Sequence, residues 1–284
     1  MATDKRMLCD LHTHSTFSDG TWEPEAIVSE AERIGLSAVA LTDHNTITGL
    51  PRFLEAAKGR RIEAVAGVEI STDYGETELH IVGLLLPKGV LGERDSMLVR
   101  RRERKEESNR EMVARLTSAG YCLDYERIRA SSSGLFNRAH IASALLEGGY
   151  VGSVAEAFER ILSKDSPYYV PTRRLPVLEV IGRLRELGAV PVLAHPLLNL
   201  SENELRAFLP SAMRAGLVAM ETVYSTYSEA EARLAGDIAC ELSVAESGGS
   251  DFHGERKPDI AIGYGRGGLA VPSEFYEKLR EFAK

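Results

Sequence analysis

A chain of 284 residues, 44% hydrophobic and 27% charged, has the composition of one large α/β domain or of one domain with an insert, and no apolar stretch approaches the roughly 20 residues of a membrane span. A formal charge of −8 argues against stable binding of long duplex DNA through a surface field, while leaving room for an anionic substrate. Cys9, Cys122 and Cys240 lie far apart without a C-x-x-C, as expected of reduced thiols in the cytoplasm, and the start of the chain runs too soon into Asp10 for the apolar core of a signal peptide.

Residues 1–92 read as repeated strand-then-helix units. Leu8 to His12 is a short strand with Cys9 buried in it. Pro24 opens a helix with Ile27, Ala31 and Ile34 on one face, and Gly35 ends it. Leu36 to Leu41 is an apolar run ending at Thr42-Asp43-His44. Leu50 to Lys58 reads as a helix, Ile62 to Val68 as a strand ending at Glu69, and Leu79 to Leu86 as a strand carrying His80. Residues 93–175 break this pattern and read as a small helical insert. Ser96 to Ala119 is highly charged around Arg100 to Glu107, and its mixed signs predict a solvated helix face with Met112, Val113 and Leu116 as the apolar stripe. Helices are predicted over roughly Arg138–Glu147 and Val154–Ser163, with a strand at most over Tyr168–Val170.

The alternation resumes over residues 176–284. Val177 to Leu187 is a helix, and Ala189 to Ala194 a strand ending at His195. Ser201 and Glu204 have capping-box spacing, which starts a helix at Glu202, with Pro210 expected to end it near Leu209. Val218 to Thr222 is a strand, and Glu229 to Leu242 a helix leading through 243–250 into Asp251-Phe252-His253. Strands alternating with helices imply a mainly parallel sheet or barrel, in which functional groups gather at strand carboxyl ends. His44, Glu69 and His195 obey that rule, whereas His80 sits near the start of its run.

Six of the seven histidines, His12, His14, His44, His80, His195 and His253, end an apolar run or lie close to a carboxylate, and Asp19, Glu69 and Asp251 share that company. His12 and His14 stand two apart, on one side of a strand, and Asp251 and His253 repeat the spacing. Nine nitrogen and oxygen donors converging on one point would hold several divalent metals, and such a centre makes a hydrolase by activating water. With neutral imidazoles and three divalent ions the centre would carry about +3, a local anion trap in an acidic protein.

Six motifs occur in order: Asp10-Leu11-His12-Thr13-His14, Ser18-Asp19-Gly20, Thr42-Asp43-His44, Gly67-Val68-Glu69, Ala194-His195-Pro196 and Ser250-Asp251-Phe252-His253. Together they resemble the motifs of the polymerase and histidinol phosphatase (PHP) superfamily. The resemblance implies an α/β fold, a distorted (β/α)7 barrel of PHP type with a small helical inserted domain, and a trinuclear metal centre. It implies that His12, His14, Glu69 and Asp251 hold one metal, that Glu69 bridges to a second held also by His80 and His195, and that Asp19, His44 and His253 hold the third. Imidazole and carboxylate without thiolate suit Mn, Fe or Zn.

The nearest subgroup looks like small bacterial phosphoesterases with a helical insert, whose motif resembles Phe136-Asn137-Arg138-Ala139-His140 followed by a Tyr-Val-Pro. The activity implied is hydrolysis of a small phosphorylated, nucleotide-like metabolite, foremost the 3′-phosphate of a nucleoside 3′,5′-bisphosphate. Alternatives are a phosphodiesterase on cyclic phosphates, a 5′-3′ exonuclease on short RNA, a histidinol phosphatase, or a non-catalytic metal-stabilised module. Metal-activated hydroxide would attack phosphorus, with Glu69, His195 and Asp251 in the catalytic centre and either His195 or Asp251 as the proton carrier. Arg138 would bind phosphate with its planar fork, assisted by Asn137, His140 and Arg173.

Overall fold

The computed structural model describes residues 7–92, 96–131, 136–172 and 174–283, with only the backbone described at 91, 92, 96–102 and 131. Residue contacts divide the chain into two units, Met1–Asp95 with Leu175–Lys284, and Ser96–Arg174. The first unit opens with β1 (Leu8–Asp10), α1 (Pro24–Ile34), β2 (Ala38–Leu41), α2 (Leu50–Ala56), β3 (Glu63–Tyr74) and β4 (Thr77–Leu84). The second holds α3 (Ser96–Ser118), α4 (Tyr125–Ser131), α5 (Arg138–Glu147) and α6 (Val154–Arg160). The chain returns to the first with β5 (Leu175–Pro176), α7 (Val177–Glu186), β6 (Val190–Leu193), α8 (Glu202–Ala215), β7 (Ala219–Tyr224), α9 (Glu229–Leu242), β8 (Ala245–Gly249), β9 (Val271–Pro272) and α10 (Ser273–Arg280).

The strands form one sheet in the order β8-β7-β6-β4-β3-β2-β1-β9, with β5 beside β3. Its two ends meet. Leu11 donates its backbone N–H to Gly248, His14 to Phe252, and Asp251 to His12, at 2.8–3.2 Å, so the segments continuing β1 and β8 pair and nearly close the sheet into a barrel. The β1-β2-β3 and β6-β7-β8 sets are parallel, while β4 runs antiparallel to both β3 and β6. This reversal is the distortion of the barrel, and it explains His80. The start of an antiparallel strand lies level with the ends of its parallel neighbours, so the His80 carbonyl accepts from the Ala194 N–H, next to His195. β2 is buried along its whole length, as a central parallel strand should be. Alternate residues such as Cys9, Ala38, Ala40, Val65, Val82, Val192 and Ala219 pack into one apolar cluster, which α10 joins through Tyr276 and Leu279.

Two helices depart from expectation in instructive ways. α8 starts at the predicted capping box, where Ser201 and Glu204 satisfy each other's backbone N–H groups, but it runs through Pro210 to Ala215. A proline inside a helix costs about 3 kcal/mol. Full burial of Phe208, Leu209 and Ala212 on either side of it outweighs that cost, since burying one such large apolar side chain contributes about 1.5–3 kcal/mol. No helix is read from the sequence at α4, a seven-residue element in which only Ile128 of the described side chains is a buried aliphatic.

In the helical unit, Met112, Val113 and Leu116 of α3 are buried as the stripe predicts, against Ile128, Ile141, Ala142, Leu145 and Ala157. Tyr168–Val170 is not a strand. It is a turn whose side chains pack on this cluster, with the Val170 carbonyl accepting from Ser108 Oγ at 2.7 Å. The side chains of Arg100, Arg101 and Arg102, and all of Arg173, lie outside the described residues.

Candidate metal centre

The site forms where the strands of the first unit end. The carboxylate of Glu69, fully buried in β3, lies between two groups of imidazoles. Its Oε2 lies 3.2 Å from both His12 Nε2 and His14 Nε2 and 3.0 Å from His44 Nδ1. Its Oε1 lies 2.8 Å from His80 Nδ1 and 3.2 Å from His195 Nε2. Asp251 Oδ1 stands 3.1 Å from His14 Nε2, 3.6 Å from His12 Nε2 and 3.4 Å from His253 Nδ1. Asp19 Oδ1 reaches His253 Nε2 at 3.3 Å and His14 Nδ1 at 3.9 Å. All nine residues singled out in the sequence thus come together. They group as His12, His14, Glu69 and Asp251; as His44, Glu69 and His80; and as His14, Asp19, His44 and His253. His14, His44 and Glu69 are each shared by two groups, while His195 belongs to none of the three and meets the cluster through Glu69 Oε1.

Local backbone features impose this arrangement. His195 (φ 31°) and Asp251 (φ 55°) adopt left-handed conformations, which cost a residue with a Cβ about 1–3 kcal/mol and persist where the surroundings over-determine them. Gly249 is required by close approach, since a Cβ there would stand 2.4 Å from His12 Cβ. Two buried carboxylates outside the cluster set its loops. Asp10 accepts from the N–H groups of Ser250 (2.9 Å), His12 (3.3 Å) and Gly263 (2.7 Å), joining both ends of the sheet. Asp43 accepts from Ser15 N (2.8 Å), Ser15 Oγ (2.6 Å) and Ser18 Oγ (2.6 Å), holding the loop that presents Asp19.

Sequence reasoning missed four side chains that shape the centre. Glu221, buried in β7, takes His12 Nδ1 at 2.8 Å on Oε1 and the His195 N–H at 2.7 Å on Oε2. Its partner fixes His12 as the Nδ1–H tautomer with Nε2 turned to the cluster. A register shift between Glu221 and Val223 lets Glu221 and Tyr224, three apart, face the same site, which a regular strand would forbid. Tyr224 OH donates to Asp251 Oδ2 at 2.7 Å, and Lys257 Nζ approaches that oxygen to 2.5 Å. Arg256 lies beside Lys257. The signal for Glu221 was there, a carboxylate inside an apolar strand run.

The electrostatics follow from burial and proximity. Burial opposes charge on His14 and His80, but neighbouring carboxylates (Asp251 and Glu69 for His14, Glu69 and Glu78 for His80) raise their pKa values to about 9 and about 10. Burial depresses His44 to about 3. Burial would raise Glu69 and Asp251, yet the surrounding imidazoles hold both well below the usual carboxylate range.

Seven buried polar atoms of this cluster lack any hydrogen-bond partner: His12 Nε2, both ring nitrogens of His14, Asp19 Oδ1, His44 Nδ1, Glu69 Oε2 and His195 Nδ1. Leaving a buried polar group unpaired costs about 1–3 kcal/mol. Imidazole nitrogens and carboxylate oxygens converging without thiolate are the donor set of a divalent transition metal, so the residues fit such ions. Cys9 stays outside, its Sγ against the Pro272 carbonyl. The cluster opens into a cleft of about 390 Å³ lined by Asp19, His44, Glu69, His80, His195, Leu198, Tyr224, Asp251, His253, Arg256 and Lys257.

The residues predicted to contact substrate are placed differently. Asn137 Oδ1 caps α5 by accepting from Ala139 N–H at 3.0 Å, and His140 Nδ1 accepts the Asn137 N–H at 3.2 Å. Arg138 donates to the Leu162 carbonyl at 3.2 Å and lies over the rings of Phe158 and Tyr169. These contacts are all within the helical unit.

The PHP domain family matches residues 10–166. A 5′-3′ exoribonuclease of Haemophilus influenzae is 31% identical over 86% of this chain and 89% of its own. A 3′,5′-nucleoside bisphosphate phosphatase of Chromobacterium violaceum is 29% identical over 88% of this chain and 90% of its own. A solved structure from Bifidobacterium adolescentis, assigned as a metal-dependent phosphoesterase, superposes with a TM-score of 0.73 at 26% identity, covering 98% of this chain and 97% of that one. Sequence, fold and donor cluster agree: this chain belongs to the PHP domain family and is a metal-dependent hydrolase of phosphoesters.

Proposed function

We propose that the centre holds three divalent ions, Mn, Fe or Zn, and removes the 3′-phosphate of a nucleoside 3′,5′-bisphosphate. The observation that carries this reading is the Glu69 carboxylate, one oxygen among His12, His14 and His44 and the other between His80 and His195, as a bridging ligand requires. The ligands proposed are the nine residues of the cluster. When bound, the ions supply Lewis-acid activation of water and neutralise charge on the phosphoryl oxygens. The chain does the positioning. Glu221 orients His12, and Tyr224 and Lys257 occupy Asp251 Oδ2 so that Oδ1 alone faces the imidazoles. His195 and Asp251 line the cleft and are proposed to pass a proton to the leaving oxygen. Arg138, with Asn137, His140 and Arg173, is proposed to bind the phosphate that does not react. The Chromobacterium violaceum phosphatase, similar along nearly the whole chain, supports the choice of substrate.

A second reading, removal of 5′ nucleotides from short RNA, is favoured by the open rim of the cleft, where the Asp19 side chain is 41% exposed and Leu198 53%. The Haemophilus influenzae relative supports it. The deciding experiment measures phosphate or nucleotide release from nucleoside bisphosphates, cyclic phosphates, histidinol phosphate and short RNA, with metal content of the same preparation. Fastest turnover on the bisphosphate and about three metals per chain are expected. Fastest turnover on RNA selects the second reading, and activity with less than one metal per chain overturns the trinuclear centre.

A further inference from the structure

The cleft that opens from the cluster has one cationic wall. Of its lining residues only Arg256 and Lys257 are lysine or arginine, and they are adjacent in sequence. They sit in a short turn that follows Asp251 and His253, and the turn is tied down from its other side. Glu255 N–H donates to Thr21 Oγ1 at 3.0 Å, Trp22 Nε1 donates to Glu255 Oε1 at 3.2 Å, and the Thr21 N–H donates to the His253 carbonyl at 3.2 Å. The Trp22 ring stands edge-on to Phe252 at 5.0 Å. Gly254 (φ 65°) lets the turn pass within van der Waals contact of Thr21, where a Cβ would collide with the hydroxyl. Glu255 is spent on these anchors, and the next two residues face the cleft.

The two cations are not equivalent. Lys257 Nζ lies 2.5 Å from Asp251 Oδ2 and 3.5 Å from the Asp251 carbonyl, with its side chain still 39% exposed. An ammonium has three donors, so at least one remains for a ligand oxygen beside the cluster. Arg256 is exposed and has no ion-pair partner among the described residues. An unpaired guanidinium at the rim of this cleft presents a planar fork that matches phosphate oxygens.

We propose that Lys257 and Arg256 bind the phosphoryl group that reacts, Lys257 at the cluster and Arg256 at the rim. Their position in the first unit, beside Asp251, separates them in role from Arg138, which is proposed to hold a phosphate that does not react. The assignment rests on the phosphoester reading of this cleft. It extends that reading by naming the side chains that neutralise the non-bridging oxygens without help from the helical unit.

The test uses inorganic phosphate as the probe. Its dissociation constant is measured by calorimetry on metal-loaded wild type, Arg256→Ala, Lys257→Ala and Lys257→Arg, with the metal content of each protein determined. The two alanine variants are expected to bind phosphate at least roughly tenfold more weakly at wild-type metal content, with Lys257→Arg recovering most of the loss. In turnover, each alanine variant should lower kcat/KM for a nucleoside 3′,5′-bisphosphate and for a nucleoside 3′-phosphate by the same factor. Unchanged phosphate binding in Arg256→Ala and Lys257→Ala overturns the proposal. So does a Lys257→Ala protein that loses metal in proportion to phosphate while Arg256→Ala binds normally, because Lys257 would then act only through Asp251. If wild type hydrolyses neither nucleotide but phosphate binding still depends on both residues, the substrate reading falls and the anion site stands.

Discussion

The two units use polar side chains in opposite ways. In the donor cluster, the imidazoles and carboxylates are buried beyond their capacity to satisfy one another, and seven of its buried side-chain atoms lack a hydrogen-bond partner among the described residues. In the helical unit no described side-chain atom is left in that state. There Asn137 and His140 cap α5, Asn109 donates to the Phe136 carbonyl and Ser108 to the Val170 carbonyl. A buried polar atom without a partner destabilises the fold, and its persistence marks a place where a ligand completes the structure. A polar atom with every bond made marks structure already complete. Glu69 and Arg138 were both singled out in the sequence, and this contrast separates them.

The largest effect should come from breaking the unsatisfied side. Glu69→Gln places a neutral amide between two imidazole groups, and phosphate release should fall by on the order of 100-fold or more, with loss of metal measured on the same sample. Normal rate with normal metal content would refute the bridging role. Glu221→Gln keeps the volume but weakens the orientation of His12, so metal affinity should fall by roughly 10–100-fold, read by competition with a chelator.

Arg138→Ala sharpens the other side of the comparison. One donor of its guanidinium is engaged by the Leu162 carbonyl and the group lies over the rings of Phe158 and Tyr169, which leaves the other donors for substrate. The variant should lower kcat/KM for a nucleoside 3′,5′-bisphosphate by about 1.5 kcal/mol, while an aryl phosphate is nearly unaffected. A lowered melting temperature with both rates intact would make Arg138 purely a packing residue of the helical unit.

The smallest effect concerns protons in the metal-free cluster. His14 and His80 have pKa values raised to about 9 and about 10, above the ordinary value near 6.5. Their contribution to stability is fully present below about pH 6.5 and is lost as pH rises through 9 to 10. Metal-stripped protein should therefore melt a few degrees lower at pH 10 than at pH 6.5, and metal should bind more tightly as these protons leave. The metal-loaded protein should show the smaller change over this range, and an equal change in both forms would contradict the protonated cluster.

What could be read from the amino-acid order was whatever depends on local spacing. His12 and His14 share a face because extended chain repeats every two residues, whereas Asp251 and His253 reach the cluster from a turn after β8 in which Asp251 is left-handed, so their spacing alone does not place them. The capping box at Ser201 is a set of local hydrogen bonds, and it is present. The nine donors stood out because histidine and carboxylate at the ends of apolar runs are costly without a purpose.

Tertiary structure decided the rest. His80 seemed misplaced until β4 proved antiparallel, since strand direction is set by pairing with β3 and β6 and not by the run itself. β8, Ala-Glu-Ser-Gly-Gly, reads as a connection because glycine has poor strand preference, yet the approach of His12 allows nothing larger at Gly249. Pro210 failed to end α8 because burial of Phe208 and Leu209 outweighs one lost hydrogen bond. Glu221, Tyr224 and Lys257 reach the centre only through a bulge in β7 and a turn braced on Trp22, which bring together residues distant in sequence. Periodicity records which face of an element is apolar, whereas the partner that face meets is fixed by the closure of the barrel.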